Sequence, residues 1–462
     1  MNTKDALQAA EVMLAPAWTL IDDAPHPDMA VVVRGGVFAD VGPTSEITAR
    51  YPHLRPLPLP HRLLMPGFVD SHHHLTQSFG KALAFGEPSE IYRRIWVPLE
   101  RHLDAEALFV SAKLAAFEAL RGGFTTVCDA GTRSTAGIEA IAAATTEIGV
   151  RCVLATICND VGLDSDAATA VRKAGERHLA ASWSGGLIYP SLAVSVPELA
   201  TDETLGHIAK LCAEAGTVFQ VHVNEHLAAV ERSLIDRGLR PLEHLARADA
   251  LGPQTLAAHC TLVTPTEIAM LRDSGTGVSY NPVASAWKGN AVAPANLMST
   301  LGIRQGLGTD GTRSNGFRLM DAAETAQRLA FGLAAGDSST GAGWTWLALA
   351  TSGGADVAGL GHRTGRIAPG LAADYLLIDI DVPELTPSWD LGWELVRLAD
   401  RSQIEAVVVQ GQLRLWDGWP IDWDARALLR EADRIARQAV AAAPIQRIHP
   451  TSAVHRARQI KR

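Results

Sequence analysis

The sequence predicts an α/β fold: a (β/α)8 TIM barrel with a small β-sandwich domain built from both chain ends. Three observations carry the prediction. Between about residues 66 and 360, short apolar strand-like runs alternate with Ala-rich helix-like stretches. There are eight such runs in roughly 300 residues, which suits a closed parallel barrel. The flanking segments, residues 1–64 and 366–420, read as β instead.

In chain order, Ala30-Val31-Val32-Val33-Arg34-Gly35-Gly36-Val37-Phe38 reads as two strands around a glycine turn. Pro56-Leu57-Pro58-Leu59-Pro60 reads as a proline-rich connector. The barrel is assigned to residues 65–365. Its strand candidates are Phe68–His74, Thr125–Ala130, Cys152–Cys158, Leu187–Val194, Val218–Asn224, Leu256–Thr261, Gly277–Asn281 and Gln305–Thr309. Helix-like stretches separate most of them, among them Ala105–Arg121, Gly137–Ile148 and Thr201–Ala215. Asp374–Asp379 and Ile404–Gln410 return to strand texture, so residues 1–64 and 366–420 are expected to join in one β domain. Residues 421–462 hold a helix and a basic tail. The helix, Asp422–Ala441, places Leu428, Leu429, Ala432, Ile435 and Val440 at helical spacing. The tail, His455 to Arg462, reads as a solvated terminus.

Bulk composition narrows the class. The 462 residues are 20% charged and 47% hydrophobic, as in a globular protein and unlike a disordered one. A formal net charge of -9 disfavours a nucleic-acid or anionic-membrane partner. Five cysteines, Cys128, Cys152, Cys158, Cys212 and Cys260, form no C-x-x-C pair and read as buried reduced thiols. Met1–Ala15 lacks the apolar core and cleavage site of a signal peptide, and no run is long enough to span a bilayer. A cytoplasmic protein is expected.

In such barrels, functional residues gather at the carboxyl ends of the strands. The first candidate ends in His72-His73-His74. Alternation on a strand puts His72 and His74 on one face and His73 on the other. The fifth ends in His222-Val223-Asn224-Glu225-His226, the sixth in Ala258-His259-Cys260, the eighth in Gly308-Thr309-Asp310-Gly311. His72, His74, His222 and Asp310 would give a divalent ion three nitrogens and a carboxylate, leaving a position for water. Glu225 is placed to protonate a substrate atom, and His259 to orient or polarise the water. Singly, each residue has a plainer reading: a strand-end His is polar surface, and Gly-Thr-Asp-Gly is a turn. Their occurrence at four strand ends in barrel order is what carries the argument. His73 is expected to pack behind the site and His226 to border it. His61, His102, His178 and His362 read as surface residues. Gly306-Leu307-Gly308-Thr309-Asp310-Gly311 matches G-x-G-x-x-G in letters only. A dinucleotide fingerprint must open a helix, and here the helical pattern begins later, near Leu319.

These motifs resemble the amidohydrolase superfamily, in its cytosine-deaminase-like branch of guanine and 8-oxoguanine deaminases, adenosylhomocysteine deaminases and triazine hydrolases. Pro66 to Leu75 is similar to the family's first-strand motif, His222-Val223-Asn224-Glu225 to its H-x-x-E, and Gly365 to Asp374 to its return from the barrel. The run Leu187 to Ala193 has no lysine where a carbamylated bridging ligand would stand, so the resemblance implies one metal ion, zinc or alternatively iron. It implies hydrolytic deamination of a small aminated N-heterocycle that is purine-, pyrimidine-, pterin- or triazine-like. Water activated by the metal attacks the carbon bearing the amine. Glu225 protonates the ring nitrogen, Asp310 moves the water's proton to the leaving ammonia, and His259 stabilises the intermediate. Gln77 matches a substrate-contacting Gln, and Trp287 is a candidate aromatic wall. The run Asn281 to Asn290 departs from the family's Pro-x-Ser-Asn, with Ala284-Ser285 in its place. The alternatives are dechlorination or amine or amide hydrolysis of a triazine-like or cyclic amide substrate, and, in a different class, a non-catalytic scaffold. The resemblance also implies a homo-oligomer, a dimer or larger.

Overall fold

The computed structural model describes residues 2–87, 90–336 and 343–449. Eight parallel strands hydrogen-bond in strict chain order: Phe68–His73, Phe124–Asp129, Arg151–Ile157, Ile188–Val194, Phe219–Val223, Thr255–His259, Gly277–Tyr280 and Gln305–Leu307. These are the eight runs expected, with ends shifted by a residue or two. They read as apolar runs because helices cover the sheet and both faces are buried. The circle closes between the last strand and the first. Asp310 N donates to His72 O at 2.8 Å, and His73 bridges Asp310. The closure therefore lies among the predicted site residues.

The covering helices form where the pattern places them. Ala105–Arg121 is capped by Asp104, whose side chain accepts from Ala107 N. It buries Leu108, Ala112, Ala115 and Ala119 along one stripe. Asp202–Ala215 starts at a Thr201 cap and stops at Gly216, whose φ of 64° suits glycine. Phe68, at the base of the first strand, meets Phe317 edge-on at 5.1 Å. Each such buried side chain contributes about 1.5–3 kcal/mol. Cys128, Cys152, Cys158, Cys212 and Cys260 are all buried and free.

The chain ends build one nine-stranded sheet. Pro56–Pro66 is its seam, antiparallel to Tyr375–Asp379 through Tyr375↔Pro66 and Asp379↔Arg62. The proline connector is thus a strand, which corrects the sequence reading. Proline is tolerated because residues 56–59 pair only with Met13–Pro16, whereas the antiparallel ladder starts at Arg62. Pro56, Pro58 and Pro60 have no N–H to give a ladder, and residues 56–59 have no second strand that would require one. Val37 also bridges Ala372, so the sheet curls round Leu14, Val31, Phe38, Tyr375, Leu377 and Val408. The alternate residues Leu376 and Ile378 join the barrel core. Ala425–Ala442 is helical as expected and buries Leu428, Ala432 and Ile435. The basic tail beyond residue 449 lies outside the described residues. Among the described residues, no helix is long and apolar enough to cross a membrane.

Candidate active site

The carboxyl ends of the strands bring the separate histidine motifs together. His72, His74, His222 and His259 lie ring to ring, with centroids 4.6 Å apart for His72–His222 and 5.5 Å for His222–His259. His73 points away, as alternation requires. Its Nδ1 is 2.7 Å from Thr309 Oγ1 and 3.1 Å from Asp70 Oδ2. Asp70 Oδ1 also accepts from Thr309 N at 2.9 Å. This linkage ties the first strand to the turn that carries Asp310. Asn224, His259 and Asp310 have φ values of 51°, 76° and 57°. Left-handed backbone at three strand ends is strain that the surrounding packing must hold.

Hydrogen bonds settle which ring nitrogens carry lone pairs. His222 Nδ1 is 2.7 Å from the carbonyl oxygen of Ser195 and must donate to it. Its Nε2 is therefore bare, 3.1 Å from His74 Nε2. His72 Nε2 and His74 Nδ1 are buried without a partner. Asp310 Oδ1 lies 3.4 Å from His74 Nε2. Burial and mutual proximity push His72 well below the usual imidazole range, and His222 down to about 4. His72, His74 and Asp310 place one ligand atom each within 4.8 Å of one another, as do His72, His222 and His259. Neutral imidazoles beside a carboxylate are a donor set for one divalent ion.

His259 is wired differently. Asn281 Oδ1 accepts from Ser279 Oγ at 2.9 Å, which turns Asn281 Nδ2 towards His259 Nδ1 at 3.2 Å. Nδ1 accepts, so the proton of His259 sits on Nε2. That N–H faces Glu225 Oε2 at 3.6 Å and Asp310 Oδ2 at 3.8 Å. His259 is thus set up to donate, whereas His222 is set up to ligate. Gly308 permits this packing: a Cβ there would meet Asn281 Oδ1 at 2.2 Å and Ser279 Oγ at 2.5 Å.

A model of the Amidohydrolase family matches residues 63–414. The chain belongs to the amidohydrolase family. It is a hydrolase of that family, acting on C–N bonds. A 5-methylthioadenosine/S-adenosylhomocysteine deaminase of Natronomonas pharaonis is 30% identical to this amidohydrolase over 395 residues, 82% of this chain and 88% of that one. An adenosine deaminase from Xanthomonas campestris, solved with bound zinc, has TM-score 0.84 at 24% identity and covers 94% of this chain and 100% of its own. An atrazine chlorohydrolase from Arthrobacter aurescens, complexed with zinc, has TM-score 0.80 at 18% identity, with 92% and 100% covered.

A cavity of about 590 Å³ opens on the amidohydrolase site, lined by His74, Gln77, His222, Glu225, Lys288 and Asp310 and also by Tyr92, Trp96, Arg133 and Arg232. Gln77 is buried there, its Nε2 3.3 Å from Glu100 Oε1. His226 borders the cavity and holds Glu225 Oε1 at 3.1 Å. Trp287 is not on this lining. It stands half-exposed, edge-on to Phe85 at 4.8 Å, beside a smaller pocket. His178 corrects the sequence reading: it is buried, with Nε2 2.8 Å from Leu154 O, because its helix lies on the third strand. His61, His102 and His362 are exposed as expected.

Lys288 is the site residue the sequence reading missed. It ends the short helix Pro282–Lys288 after the seventh strand, and its ammonium is 2.7 Å from Glu225 Oε1 and 2.6 Å from Asp310 Oδ2. A protonated Glu225 would need burial to dominate. Burial does raise its pKa, but His259, Lys288 and His226 outweigh it and hold the carboxyl well below its usual range. Asp310 is held low in the same way, chiefly by Lys288 and His74 against the effect of burial.

Proposed function

We propose that this amidohydrolase removes an exocyclic amine hydrolytically from a small N-heterocycle, the adenine ring of a nucleoside derivative being the leading candidate. We further propose that one divalent ion, zinc or alternatively iron, is held by His72, His74, His222 and Asp310. The observation that carries the reading is the pairing of two carboxylates, Glu225 and Asp310, beside bare imidazole nitrogens at the cavity. The names of the relatives support the ring class. The partnerless His72 Nε2 and the bare His222 Nε2 support a cation.

The ion would supply Lewis acidity, lowering the pKa of a water towards neutrality. The chain's own groups then move the protons. A C–O bond forms at the carbon bearing the amine and the C–N bond breaks, giving a carbonyl and ammonia. Of the water's two protons, Glu225 carries one to the adjacent ring nitrogen and Asp310 carries the other to the departing amine. An ionised Glu225 is suited to this, since it can collect the proton it later delivers. His259 donates from Nε2 to the oxygen being added. Gln77, which can donate and accept, reads the ring edge.

An ammonia-release screen over adenosine derivatives, aminopurines, pterins and aminotriazines tests the reaction. Adenosine-type substrates should release stoichiometric ammonia. Chloride release from a chlorotriazine, with no ammonia from any amine, would instead select the dechlorination reading. His74→Ala should lower turnover by about 10²–10³-fold and reduce bound zinc, read by elemental analysis after gel filtration. Full zinc content in that variant would remove His74 from the ligand set.

A further inference from the structure

Lys288 touches both carboxylates of the site, and the deamination chemistry above gives it no part. Its contacts are unevenly divided. Glu225 Oε1 accepts from Lys288 Nζ at 2.7 Å and faces His226 Nε2 at 3.1 Å and Asn290 Nδ2 at 3.4 Å. Glu225 Oε2 faces His259 Nε2 at 3.6 Å. Asp310 Oδ2 takes Lys288 Nζ at 2.6 Å, while Oδ1 accepts from Gly311 N at 2.7 Å and faces His74 Nε2 at 3.4 Å. Glu225 is therefore anchored through Oε1 with Oε2 turned to His259, whereas both oxygens of Asp310 are held, Oδ2 by Lys288 and Oδ1 by Gly311 N, with Oδ1 facing His74 and Oδ2 facing His259 at 3.8 Å.

We propose that Lys288 is a positioning residue that clamps Glu225 to Asp310, so that Glu225 presents Oε2, and Asp310 Oδ1, to the reacting centre. The inference rests on the deaminase reading. Ligand oxygens of Glu225 and Asp310 lie within 4.8 Å of each other, where two carboxylates repel. A shared ammonium cancels that repulsion and fixes both rotamers at once. Proton transfer needs donor and acceptor in hydrogen-bond reach, and a displacement of about 1 Å can cost 10²-fold in rate. Lys288 is itself enclosed, its side chain 15% exposed, so its ammonium has little freedom to leave. The neighbouring Trp287 braces the same helix end against Phe85, with centroids 4.8 Å apart. The clamp thus joins the end of the seventh strand to the ends of the fifth and eighth.

The test compares full-length Lys288→Met and Lys288→Arg with the wild type, on whichever amine the wild type deaminates. Lys288→Met should lower kcat by about 10²-fold with KM changed less than threefold, and Lys288→Arg should recover at least about tenfold of the loss. Zinc affinity, read by chelator competition, should tighten in Lys288→Met by on the order of tenfold, because a cation beside Asp310 has gone. A kcat within threefold of wild type, or a kcat loss matched by lost zinc and not recovered by arginine, would overturn the proposal. If the wild type releases no ammonia from any amine, the deaminase reading fails by itself. The zinc competition then decides the clamp: tighter binding supports it, and unchanged or weaker binding refutes it.

Discussion

Asp310→Asn is expected to lower kcat/KM by about 10³–10⁴-fold in a protein that still folds, a loss of about 4–5.5 kcal/mol of transition-state stabilisation. The size follows from how much converges on one carboxylate. Oδ1 faces His74 Nε2 at 3.4 Å, and Oδ2 takes Lys288 at 2.6 Å and faces His259 at 3.8 Å. An amide of the same shape keeps the packing but, on the proposed reading, loses the negative charge that Asp310 would offer the ion and the carboxylate that would take up the water's proton for the leaving amine. The backbone at this position has φ 57°, a conformation asparagine accepts readily, so the substitution adds no strain. Activity in the ammonia assay, bound zinc and the thermal midpoint should be measured on one preparation. A kcat/KM within tenfold of wild type would remove Asp310 from the chemistry. A collapsed thermal midpoint would mean that the carboxylate serves folding, with Lys288 left half-paired.

Most of the barrel was legible because parallel strands covered on both faces must be apolar throughout, and short apolar runs are visible without coordinates. The histidine motifs were legible for a related reason. His72, His74, His222 and Asp310 stand at or just beyond strand ends, and strand order fixes which ends meet. Lys288 was not legible. It lies eight residues beyond Tyr280, where the seventh strand stops, and a helix intervenes. Only the fold of that loop decides whether its long side chain turns inward. Nor was the strand at Pro56–Pro60 legible, because proline is excluded from a sheet interior but not from a stretch hydrogen-bonded on one side. His178 was misread for want of a partner. Its imidazole is buried because Leu154 O, 24 residues earlier in the chain, accepts its proton. In each case the deciding contact is distant in sequence, and local pattern carries no trace of it.

The same principle sets the largest expected effect on stability, at Asp374. This residue ends the motif that returns the chain from the barrel, and the sequence marks it only as the last letter of a pattern. In the fold it is almost fully buried and takes a forked ion pair from Arg151, with Nη2 2.9 Å from Oδ2 and 3.1 Å from Oδ1. Thr364 Oγ1 donates to Oδ2 at 2.8 Å and Gln410 N to Oδ1 at 2.7 Å. Arg151 belongs to the third barrel strand, and Gln410 follows a strand of the nine-stranded sheet, so one carboxylate fastens the two sheets together. Asp374→Ala strands a guanidinium that is 2% exposed and should cost about 3–5 kcal/mol. Replacing both partners, Arg151→Met with Asp374→Leu, removes the uncompensated charge and should recover most of that loss. Urea unfolding followed by circular dichroism reads both variants. A single variant within about 1 kcal/mol of wild type would show the pair to be dispensable. A double variant no more stable than the single one would show that the cost lies in the lost hydrogen bonds to Thr364 and Gln410, and not in the buried charge.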